Sequence, residues 1–141
     1  MTKLTYSFLL FFLFSVMMFA QEIFSFESVR FEKTKVYLDE AHAYNYSIDE
    51  NYYFEITNLK GEKLITGKIT PLGNKKFASQ IHFVTVDRMF SNPTIIGRND
   101  LILNLNTYGV IQKNFELNDK KLNQFIDEFN GQNSSDVKII D

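Results

Sequence analysis

The 141-residue chain contains no cysteine, and that absence excludes several kinds of chemistry at once. Thiol nucleophiles, thiolate zinc sites and iron–sulfur clusters all require a cysteine sulfur. Disulfides, on which many small extracellular domains depend, are ruled out, so the fold must rest on its hydrophobic core. A lipid anchor attached at a cleavage site would also need a cysteine.

Basic runs are missing as well. Fifteen Lys and Arg stand against 17 Asp and Glu, a formal net charge of −2. Nucleic acid is bound by clustered Lys and Arg that neutralise phosphates, so it is not an expected partner. An electrostatic patch on an anionic membrane is excluded on the same ground. No repeats or low-complexity tracts occur.

Reactive patterns are equally scarce. The chain has two histidines. His42 follows Asp39 and Glu40, a superficial general base beside a carboxylate, but these residues read as a solvated turn between strands. His82 is flanked by Ile81 and Phe83 and falls on the opposite face of a strand from them. A metal site built from both histidines would need Asp39, Glu40 or Asp87 in addition, and no ligand spacing recurs to support one. Ser28, Ser47, Ser79 and Ser91 lack a nucleophile elbow. Asp49-Glu50-Asn51 is too short for a calcium loop. Gly61, Gly67 and Gly73 recur every six residues without the Lys-Ser/Thr of a phosphate loop, and read as turn and bulge residues. No catalytic, cofactor-binding or metal-ligating residue is assigned, and the chain is not expected to be an enzyme.

What is present begins at the N-terminus. Lys3 precedes an unbroken apolar stretch from Phe8 to Phe14, followed by Ser15-Val16-Met17-Met18-Phe19-Ala20 and polar Gln21-Glu22. A basic start, an apolar middle and a small residue before polar sequence are the parts of a secretory signal peptide. Residues 1–20 are therefore expected to be cleaved after Ala20, giving an exported protein, periplasmic or extracellular. A retained anchor is the alternative. Leu4 to Ala20 falls short of the roughly twenty predominantly apolar residues a spanning helix needs, and includes Thr5, Ser7 and Ser15. No membrane span is expected after cleavage. Cleavage would leave 121 residues, enough for one domain with its own core.

From Ile23 to about Val86 the chain reads as successive β-strands. Tyr44, Tyr46 and Ile48 alternate with polar residues, as a half-buried strand requires. Asp49-Glu50-Asn51 is a turn, and Asn58-Leu59-Lys60-Gly61-Glu62 is the clearest hairpin signal, pairing Tyr53–Thr57 with Lys63–Thr70. Gly67 within the second strand marks a bulge or the close approach of another backbone. Pro71, Gly73 and Asn74 read as the next break. Phe77 to Val86 is a further strand with Ile81 and Phe83 on one face.

After Phe90 the pattern changes. Leu101, Leu105 and Tyr108 share a helical face, with Asn99 as a possible cap and Gly109 behind. Leu101, Leu103 and Leu105 also alternate as a strand would, so residues 100–108 can be either. Residues 118–130 predict a helix capped by Asn118, with Leu122, Phe125, Ile126 and Phe129 as its apolar stripe before Gly131. Residues 132–141 read as a polar tail in which Val137, Ile139 and Ile140 could form a short edge strand.

Strands first and helices afterwards predict an α+β fold. The expected architecture is a mainly antiparallel sheet of about five or six strands with one or two C-terminal helices packed on one face. The domain would span residues 21–131. An all-β sandwich or small barrel is the alternative if residues 100–108 are extended.

Several stretches resemble a group of small exported proteins of unknown function from Bacteroidetes-type bacteria. They are Val36-Tyr37-Leu38-Asp39, Tyr53 to Leu64, Ile96-Gly97-Arg98-Asn99-Asp100, Gly109-Val110-Ile111 and the Leu122–Phe129 helix. Phe19-Ala20-Gln21 at the expected cleavage site is similar to signal peptides of that group. The resemblance implies export and a helix after Gly97; it implies no activity and no site residue.

The best candidate binding surface is the tyrosine cluster Tyr44, Tyr46, Tyr52 and Tyr53, since exposed tyrosines offer flat apolar area with a polar tip. The competing reading pairs these rings across the sheet as core, and Tyr52 and Tyr53 must face opposite sides of a strand. The function expected is a non-catalytic, exported binding domain for a protein or cell-envelope component. A periplasmic hydrolase using carboxylates with His42, and a small-ligand carrier with a cavity between sheet and helices, are the alternatives.

Overall fold

The computed structural model describes residues 24–95 and 97–131. The expected signal peptide at residues 1–20 and the tail at residues 132–141, with its possible edge strand at Val137, Ile139 and Ile140, lie outside the described residues.

Seven strands precede two helices: β1 (Val29–Glu32), β2 (Lys35–Leu38), β3 (Ala41–Ile48), β4 (Tyr53–Thr57), β5 (Lys63–Gly73), β6 (Lys76–Phe83), β7 (Arg88–Phe90), α1 (Arg98–Thr107) and α2 (Asp119–Phe129). The strands form one antiparallel sheet in simple sequence order. The fold is α+β, with both helices C-terminal to the sheet, as the order of sequence patterns predicts.

Turn chemistry explains the meander. Asp49 Oδ1 accepts from the backbone N–H groups of Asn51 and Tyr53 and closes the β3–β4 turn. Asn58 Oδ1 accepts from Lys60 and Glu62 in the β4–β5 turn, where Gly61 takes φ +89°. Asn74 and Lys75 both have positive φ, the conformation of a two-residue turn matched to strand twist. The β5–β6 break therefore falls at Asn74 and Lys75, with Gly73 still paired to Lys76, and Pro71 lies within β5 opposite Phe77. The strand expected to run to Val86 stops at Phe83, where Val84–Val86 make a single 3-10 turn. The total exceeds five or six because the three residues of β7 add an edge strand after Phe83.

Register separates the two faces of the sheet. Val36 lies opposite Tyr44, Tyr46 opposite Ile56, Ile56 opposite Ile65, and Ile65 opposite Phe83. This inner face is buried. The outer face carries Tyr37, His42, Tyr53, Lys68, Gln80, His82 and Met89. A bulge between β2 and β3 turns both Ala43 and Tyr44 inward.

The helices supply the second layer. Leu101, Ile102 and Leu105 of α1, with Leu122, Phe125 and Ile126 of α2, join the sheet residues in one core. Phe125 stacks on Phe90 at 5.2 Å, and Phe83 meets Phe90 edge-on. Arg88 pairs with Asp127 at 2.7 Å and ties β7 to α2. Asn92 donates to the Phe129 carbonyl and accepts from Thr94, fixing the chain between β7 and α1 to the end of α2. Residues 100–107 are helical, and Gly109 has the left-handed conformation that ends the segment. The N-cap is Gly97, without a side-chain cap, and Asn99 lies inside the first turn. At α2, Asn118 caps the helix by accepting from Lys121 N–H at 3.0 Å. Among the described residues no helix is long and apolar enough to cross a membrane.

Candidate binding cleft

The β4–β5 hairpin tip and the loop joining α1 to α2 stand apart and leave a cleft of about 370 Å³ between them. That volume lies within the range of roughly 300–1,000 Å³ usual for ligand pockets. Ala43, Leu64, Phe115 and Leu117 give it an apolar floor, while Glu62, Glu116 and Asp119 place carboxylates around it with Lys60 among them.

The loop wall is built on a strained residue. Phe115 has φ +65°, a left-handed conformation that is a genuine outlier for a bulky side chain. Three contacts hold it there. Its N–H donates to the Gln112 carbonyl at 2.8 Å. Its carbonyl accepts from Tyr44 Oη at 2.8 Å. Its ring meets Phe24 and Tyr44 edge-on, at 6.2 and 6.3 Å. Asn114 Oδ1 accepts from Glu116 N–H and closes the turn around it. Backbone held in a sparsely populated region by several partners is a feature that clusters at binding sites. Burial raises the Tyr44 phenol well above its usual 10.0, so it stays a neutral donor.

The four tyrosines singled out from the sequence divide between two environments. Tyr44 and Tyr46 are in the core, because alternate residues of β3 face the helices. Tyr52 and Tyr53 are each 51% exposed. Tyr52 takes φ +64° at the end of the β3–β4 turn, and Tyr53 lies on the outer face under Lys68 Nζ at 4.9 Å. The fold thus does not gather the four on one surface. Tyr44 does not line the cleft, but its hydroxyl holds the loop that forms one wall of it.

The histidines are separate. His42 Nε2 lies 3.1 Å from Asn45 Oδ1, while Asp39 Oδ1 accepts from the Glu27 and Ser28 N–H groups. His82 Nε2 pairs with Asp87 Oδ1 at 2.8 Å on the outer face. Among the described residues no three His, Asp or Glu side chains converge as metal ligands would. Sequence reasoning missed the cleft because its halves lie far apart in the chain. The readable signal was Asn114, a residue that favours such turns. No family model matches the chain, and no curated protein or solved structure matches it either.

Proposed function

We propose that this chain is an exported, non-catalytic binding domain that takes a short segment of a partner protein into the cleft between the β4–β5 hairpin and the Phe115 loop. The observation that carries this reading is Phe115, held at positive φ by Tyr44 on the wall of that cleft. Glu62, Glu116 and Asp119 around an apolar floor favour a segment that pairs a cationic side chain with an apolar one. The non-catalytic reading draws support from the distribution of titratable groups, with Asp39 engaged by backbone and His42 by Asn45. Export rests on the pattern from Lys3 to Ala20.

The test places a photo-crosslinking residue at Leu59, on the exposed hairpin tip, in the full chain expressed with its leader. A discrete protein adduct from Leu59, weakened by Glu116→Lys and absent from the same probe at exposed Lys76, is the expected result. Equal labelling at both positions, or adducts indifferent to Glu116→Lys, overturns the reading. N-terminal sequencing of the exported form checks the leader: a chain beginning at or near Gln21 is expected, and an intact Met1 refutes cleavage.

A further inference from the structure

A second place in the molecule has the opposite charge. Arg98, the first residue of α1, lies with its guanidinium carbon 4.5 Å from the Phe31 ring centre and 4.8 Å from that of Tyr46. The two rings meet edge-on at 5.0 Å. Two aromatic faces fix the position of the cation but accept none of its N–H groups in the plane of the fork. Arg98 forms no ion pair with any carboxylate among the described residues, unlike Arg30 and Arg88. Tyr46 is 4% exposed, and its hydroxyl is buried with no hydrogen-bond partner. A buried hydroxyl left unpaired costs about 1–3 kcal/mol, so such a group calls for a reason.

We propose that Arg98, seated on Phe31 and Tyr46, receives the carboxylate of an amphiphilic small molecule whose apolar body lies along Ile48. This site is independent of the hairpin cleft. The planar fork of a guanidinium matches the two oxygens of a carboxylate. The Tyr46 hydroxyl belongs to the ring that the guanidinium covers, and in the proposed complex it donates to the same carboxylate. For that hydroxyl, closed from solvent, to reach the ligand, the guanidinium must shift across the rings on binding. Ile48 follows Tyr46 on the same face of β3, beyond the covered core, and is 45% exposed. It offers exposed apolar surface two residues along β3 from the ring that carries the cation.

The helix terminus itself is not the receptor. A Cβ on Gly97 would lie 3.3 Å from Asp100 Oδ2, so a carboxylate of this chain already occupies that end of α1. That neighbouring negative charge also selects a monoanion over a phosphate dianion, which one guanidinium would not offset.

The experiment titrates decanoate and decanol into the full chain while following the Arg98 Nε–Hε resonance by NMR. Decanoate is expected to move that resonance and to bind about tenfold or more tightly than decanol. Arg98→Met is expected to abolish the preference, Arg98→Lys to weaken it, and Tyr46→Phe to reduce affinity severalfold with Arg98 still responding. A wild-type Arg98 resonance indifferent to decanoate overturns the proposal without recourse to any variant. Equal binding of decanol, or binding unchanged in folded Arg98→Met, overturns it too.

Discussion

Tyr44 Oη donates to the Phe115 carbonyl at 2.8 Å, across 71 positions of chain. This bond joins the centre of the sheet to the loop between the helices. It also explains why a tyrosine rather than a phenylalanine occupies a position that is 1% exposed.

Replacing Tyr44 by Phe keeps the ring and removes the bond. Losing this partly buried hydrogen bond is expected to cost about 0.5–1.5 kcal/mol, read as a lower urea midpoint at unchanged denaturant slope. The proposed partner adduct at Leu59 should fall further than global stability, because Phe115 loses its tie at the cleft wall. An adduct unchanged in folded Tyr44→Phe would separate the loop's strain from binding.

Alkaline pH should weaken the fold. Burial raises the Tyr44 phenol above its usual 10.0. Tyr108 is raised by its hydrogen bond to Glu128, then by desolvation and by the charge of that carboxylate. Both phenols hold their protons to higher pH in the folded chain than in the unfolded one. Their contribution is present in full below about pH 10 and is lost as pH climbs through the folded values. Tyr44→Phe should flatten part of that decline, measured by denaturant midpoints across the alkaline range. Glu128→Gln should move the Tyr108 titration downward, followed by phenolate absorbance.

Local chemistry made the sheet legible before its geometry was known. Asp49, Asn58 and Gly61 are turn residues for reasons confined to a few neighbours, and they act as expected. Asn118 and the Leu122–Phe129 stripe were readable for the same reason. Pro71 misled, because a proline is compatible with a strand where no ladder donor is required. The cleft and the Arg98 seat were hidden, since each joins residues whose proximity depends on completed packing. The tyrosine cluster failed to form one surface because strand alternation and the β3–β4 turn send its members in different directions.

The two helix starts offer a paired test of capping. Asn118→Ala removes the side-chain acceptor for Lys121 N–H and should cost about 1 kcal/mol. Asn99→Ala should change stability by less than about 0.5 kcal/mol, because Gly97 occupies the cap position and Asn99 is exposed. Thermal melts of both variants check the contrast. A loss at Asn99 equal to that at Asn118 would move the start of α1 to Asn99.

Gly67 provides the sharpest packing test, since its missing side chain is filled by a neighbour. An added Cβ would lie 2.6 Å from Cε1 and Cζ of Phe54 and 2.8 Å from the Gln80 carbonyl oxygen. Phe54 is opposite Gly67 on β4, and its ring covers the space that the glycine leaves. Gly67→Ala must push that ring off its position or separate β5 from β6, and should cost about 1–3 kcal/mol. In a Phe54→Leu background the smaller side chain leaves room, so the same change should cost less by about 0.5 kcal/mol or more. The remaining cost belongs to the Gln80 carbonyl, which no side-chain change relieves. Urea denaturation of the four chains in this cycle measures the coupling. An equal cost in both backgrounds would assign the whole constraint to the β6 backbone and none to the Phe54 ring.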